Sequence, residues 1–68
     1  MSPTPRQIGM KLKRLREAQG LSQYGLAKKA EISREYVNKL ESGRSDPTVG
    51  MLQRLAKALG VPVTALLE

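Results

Sequence analysis

Cysteine and histidine are both absent from this 68-residue chain. Without cysteine there is neither disulfide nor thiolate, which suits a reducing cytoplasm. Without histidine the usual zinc ligands and the usual general base disappear together. The six acidic residues are scattered, and no two have the spacing of a buried catalytic dyad. These absences argue against an enzyme, a metal centre and a bound cofactor. No apolar run approaches the roughly 20 residues that span a bilayer, and the opening "MSPTPRQ" lacks a signal-peptide apolar region. A cytoplasmic location is expected.

What the chain has is positive charge. Twelve Lys and Arg against six Asp and Glu leave a net charge of +6. That excess favours a polyanion as partner, nucleic acid before an anionic membrane. Lysines interrupt the apolar stripes where they would have to face lipid, so the membrane reading is poor. At this length the chain makes one domain with a marginal core, and an all-helical packing is the most economical way to hold it.

Residues 1–7, with Pro3 and Pro5, read as a flexible N-terminal arm, and residues 8–68 as the folded domain. Ile8, Leu12 and Leu15 then recur at the spacing of one helix face, and Gly20 ends that helix. Ser22 caps a second helix whose Leu26, Ala27 and Ala30 are small enough for close crossing. Ser33 caps a third, with Val37 and Leu40 inward and Gly43 as its stop. "RSDPT" is a turn before Thr48 caps a fourth helix, expected to bury Val49, Leu52, Leu55, Ala56 and Leu59. Gly60 closes it, and Pro62 suits the first turn of a short fifth helix reaching Leu67. No segment alternates with the period of a strand.

The second and third helices are joined by the short turn Ala30 to Ile32, so they cross steeply and the third stands proud of the body. At about 100° per residue, Arg34, Glu35, Asn38, Lys39 and Ser42 fall on one arc, nearly opposite Val37 and Leu40. Such a mixture of donors and acceptors exceeds what a solvated face needs. It suits the edges of bases in the major groove of B-DNA, which admits one helix.

The stretch "GLSQYGLAKKAEISREYVNKLESGRSDPTVGMLQRLAKALGVPVTALL" resembles the Cro and lambda-repressor-like helix-turn-helix family, also called the XRE family. The likeness rests on "LSQ", Ala27, "IS", "LESG" and "LAKALGV", in that order and spacing. It implies a compact all-α, five-helix domain and a transcriptional regulator, most simply a repressor, acting on double-stranded DNA. By the same resemblance Ser33, Arg34, Glu35 and Lys39 fall on base-reading positions. Gln23 and Arg44 fall on DNA-backbone positions, with Asn38 and Ser42 as neighbours that contact phosphate or base. Arg16 and Glu41 match a structural ion pair, the alternative being two unrelated surface charges. Glu35 either accepts from cytosine or holds Arg34 in place, and Lys39 reaches a guanine or a phosphate.

Tyr36 is expected to pack, and Lys28 and Lys29 to approach phosphates only if helix two lies close enough. Lys11, Lys13, Arg14, Arg54 and Lys57 read as solvated faces. Two positions depart from the family pattern: Glu31 stands where the turn often has Gly, and Gly25 stands where helix two often has Glu. The family's habit implies a homodimer on an inverted-repeat operator, here through the helix-four and helix-five region with Met51, Val63 and Leu67 as apolar contacts. A second reading is an antitoxin that binds a toxin protein and its own operator.

Overall fold

The computed structural model describes residues 2–68, so Met1 of the expected arm lies outside the described residues. Helices α1 (Pro5–Ala18), α2 (Gln23–Ala30), α3 (Arg34–Glu41), α4 (Val49–Leu59) and α5 (Thr64–Leu67) follow in order. Among the described residues there is no strand.

The first helix begins at Pro5, before the Ile8 start that periodicity suggests. Thr4 caps it: its hydroxyl oxygen accepts from the Gln7 N–H at 3.1 Å, and Gln7 Oε1 accepts from the Thr4 N–H at 2.9 Å. Pro5 sits where a missing N–H costs nothing. Prolines that look like marks of an open arm are here part of a helix start. Residues 5–7 therefore belong to the folded body.

The same chemistry starts the next three helices. The side chains of Ser22, Ser33 and Thr48 accept from the N–H groups of Gly25, Tyr36 and Met51. Each satisfies a donor that has no partner within the helix. The last helix starts at Thr64, two positions beyond Pro62, with no side-chain cap.

Ile8, Leu12, Leu26, Val37, Leu40, Leu52, Leu55, Leu59 and Leu66 form one core, with Ala27, Ala30 and Ala56 at the crossings. Val49 stays outside it, 70% exposed. As the first residue of α4, with its Cβ tilted back toward the helix start, it projects past the neighbouring helices. The stripe of α4 therefore begins at Leu52. Helix α3 packs against both α1 and α2, and α5 closes over α1 and α4. That leaves one side of α3 uncovered.

Two glycines permit the packing at the C-terminal end of α3. Gly9 is buried in α1, and a Cβ there would overlap the Leu40 carbonyl oxygen and stand 2.8 Å from that of Glu41. Gly43, at φ 76°, lies against the start of α1, where an added Cβ would be 2.9 Å from the Arg6 Cα.

Candidate nucleic-acid interface

The turn into α3 is set by Glu31, which takes left-handed backbone angles, φ 59° and ψ 45°. It is the one non-glycine residue with positive φ among those described. Its conformation lets the Ile32 N–H reach back to the Ala27 carbonyl at 3.0 Å, which closes α2. The chain then enters α3 through the Ser33 cap. The departure from Gly read in the sequence is thus accommodated without changing the turn.

Arg34, Glu35 and Lys39 are exposed on the outer side of α3, opposite the buried Val37 and Leu40. Among the described residues their side chains have no hydrogen-bond or ion-pair partner, so Glu35 does not hold Arg34. Gln23, Arg34, Glu35, Asn38, Lys39 and Arg44 together line one shallow recess beside the helix. Ser33 is exposed, but its oxygen is committed to the Tyr36 N–H, which leaves its O–H as the group it can offer elsewhere.

Beneath this face lies an ion pair. Arg16 and Glu41 are 7% and 8% exposed. Arg16 Nε donates to Glu41 Oε2 at 2.6 Å and Nη2 to Oε1 at 3.0 Å, a two-pronged contact joining α1 to α3. The remaining arm, Nη1, donates to the Leu21 carbonyl at 2.7 Å. The hydrogen bond that Arg16 donates to Glu41 raises the Arg16 pKa above its ordinary value, with burial opposing. Both charges are therefore matched rather than stranded, and the reading as unrelated surface charges falls.

Gln23 rests on the pair. Its Nε2 donates to Glu41 Oε1 at 3.0 Å, and its Oε1 accepts from Asn38 Nδ2 at 3.4 Å. Arg44 in turn donates from Nη2 to Asn38 Oδ1 at 2.8 Å and from Nε to Ser42 Oγ at 2.8 Å. Among the other cations, Lys28 sits 5.5 Å from the centre of the Tyr24 ring. Tyr36 is half-buried and packs on the core, as expected. Lys29, Arg54 and Lys57 line a second, larger recess between α2 and α4, which has Glu31 at its rim and none of the α3 residues. The smaller recess beside α3 is the one that gathers the unpaired Arg34, Glu35 and Lys39.

The helix-turn-helix family model matches residues 12–66. The chain belongs to the helix-turn-helix family of DNA-binding transcriptional regulators. This helix-turn-helix domain is 37% identical over 59 residues to the immunity repressor protein of Bacillus phage phi105. That match takes in 87% of this chain and 41% of the repressor, so the chain spans about two fifths of that relative's length. It is 43% identical over 54 residues to the HTH-type transcriptional regulator y4dJ of Sinorhizobium fredii, covering 79% of this chain and 70% of that one. In three dimensions it is similar to the restriction-modification controller protein C.AhdI from Aeromonas hydrophila. There the TM-score is 0.89 at 34% identity, covering 91% of this chain and 94% of the controller. The lambda-repressor-like, all-α fold expected from the sequence is the observed one. Among the described residues no helix is long and apolar enough to cross a membrane.

Proposed function

We propose that this chain is a sequence-specific repressor of transcription that acts in the cytoplasm and lays α3 into the major groove of double-stranded DNA. The observation that carries the reading is the outer face of α3. Arg34, Glu35 and Lys39 stand there unpaired, and Gln23 and Arg44 line the same recess. In this reading Arg34 offers its planar fork to guanine N7 and O6, and Glu35 accepts from a cytosine amino group. Ser33 and Lys39 reach neighbouring bases. Gln23 and Arg44 hold DNA phosphates, which sets the register of the helix.

A homodimer on an inverted repeat follows if α4 and α5 meet their copies. Met51, Val63 and Leu67 are half-buried there, and the exposed Val49 adds to the apolar area. Selection of bound duplexes from a random pool, followed by salt titration on the winner, tests the whole reading. The expected result is a palindromic consensus and a log–log salt slope of about −0.9 per phosphate neutralised. A flat salt response, or no enriched sequence, overturns it.

A further inference from the structure

We infer that Asn38 and Ser42 are positioning residues: together they aim the Arg44 guanidinium at one DNA phosphate, with Asn38 itself oriented through Gln23 by the buried Glu41 carboxylate. The inference rests on the reading of α3 and its loop as a DNA interface, and it gives two of the face's polar residues a role other than touching DNA.

Hydrogen-bond polarity fixes the order of the relay. An ionised carboxylate only accepts, so Glu41 can take the Gln23 amide only by its NH2 group, at 3.0 Å. That turns the Gln23 carbonyl outward, where a donor is needed, and the Asn38 NH2 supplies it at 3.4 Å. Asn38 is then left with its carbonyl oxygen facing Arg44, and the guanidinium donates to it at 2.8 Å. A guanidinium only donates, so the relay cannot run in the opposite sense. Glu41 cannot turn away, because Arg16 grips it from the other side with two nitrogens.

The second hold is Ser42. Its hydroxyl donates to the Lys39 carbonyl at 3.1 Å, which leaves its oxygen to accept from Arg44 Nε at 2.8 Å. Two contacts at different nitrogens fix the plane of the fork. Both Nη1 hydrogens and the second Nη2 hydrogen remain open to an anion. Arginine is a long, entropy-rich side chain on an exposed loop, and ordering it in advance lowers the cost of the contact it makes later.

A double-variant cycle on the selected duplex tests this. Asn38→Ala should weaken binding to cognate and random duplexes alike by about 3- to 10-fold, the usual cost of ordering one long side chain. Ser42→Ala should act in the same direction. In an Arg44→Ala background, adding either change should alter affinity by no more than about twofold, because the residue it serves is gone. Thermal melts on each variant report whether the fold is kept. A further 3- to 10-fold loss from Asn38→Ala on top of Arg44→Ala would mean that Asn38 touches DNA itself, and the inference fails. It also fails if Asn38→Ala is silent when Arg44 is present. Salt-independent binding by the unaltered protein is a different failure, one that removes the interface and the inference with it.

Discussion

Gly9 of α1 lies directly against the backbone carbonyl of Leu40 in α3, with no room for a Cβ between them. The neighbouring Glu41 carbonyl is almost as close. Helix backbone atoms cannot step aside as a flexible side chain can. Gly9→Ala should therefore destabilise the domain by about 1–3 kcal/mol, even though alanine is the better helix former. Urea unfolding compared with the unaltered protein checks this. An unchanged or raised midpoint would mean that α1 and α3 can separate without loss.

Glu31 holds a left-handed conformation with an ordinary side chain. Glycine removes the Cβ clash but adds freedom to the unfolded chain, so only part of the relief survives. Glu31→Gly should stabilise by about 0.5–1 kcal/mol. Chemical denaturation of both forms decides it, and a lower midpoint for the glycine form refutes the estimate.

The cap of α2 is half built. Ser22 accepts from the Gly25 N–H, but Gly25 has no side chain to return the bond, whereas Thr4 and Gln7 complete the same box in α1. A Cβ on Gly25 would meet its nearest atoms at 3.4 Å, an ordinary contact distance. Gly25→Ala should raise stability by about 0.5–1 kcal/mol, and Gly25→Glu should exceed it by completing the box. Thermal melts in which Glu ranks below Ala would show that the box does not form.

Arg16→Ala should cost about 3–5 kcal/mol, because it strands the Glu41 carboxylate in the interior. Replacing both partners, Arg16→Met with Glu41→Leu, should recover most of that loss. The Arg16 pKa is raised in the fold, so its contribution is complete below the unfolded value and fades only as pH rises through the folded one. Both lie in strong alkali. Melting midpoints taken between about pH 6 and 9 should thus show no loss traceable to Arg16. A decline across that range that Arg16→Lys alters would contradict this.

Arg34 and Arg44 should fail in different ways. Arg34 opens α3 and is unpaired, while Arg44 lies past Gly43 and is already held by Asn38 and Ser42. Arg34→Ala should cost about 1–3 kcal/mol on the cognate duplex and relax preference at one G·C pair per half-site. Arg44→Ala should weaken cognate and random duplexes equally and reduce the salt slope by about one unit. Competition against single-base-pair variants separates the two. An unchanged preference profile for Arg34→Ala would remove it from the reading set.

Local chemistry explains which parts of the fold were legible in the sequence. Ser22, Ser33 and Thr48 announce helix starts because a cap needs only the residue and the N–H groups that follow. Glu31 is marked by the family resemblance alone, since it stands where that turn often has Gly, the residue that takes left-handed angles freely. The start of α1 was missed for a local reason too: Thr4, Pro5 and Gln7 form a capping box that the neighbouring prolines disguise. Gly9 offers no such signal, since its reason lies in Leu40, far along the chain. The bonds of Asn38 and Ser42 to Arg44 are likewise hidden. Sequence spacing puts residues on one arc, but whether they face a partner or one another depends on rotamers.

The contact between Gly43 and Arg6 ties the two ends of this arrangement together. The first turn of α1 is a surface on which the loop after α3 rests, so opening of that turn would take away part of the loop's support. Fraying at a helix end is ordinarily the cheapest motion in a domain. Here that end supports Gly43, the residue before Arg44, so the capping box at Thr4 steadies a surface used by a distant part of the chain.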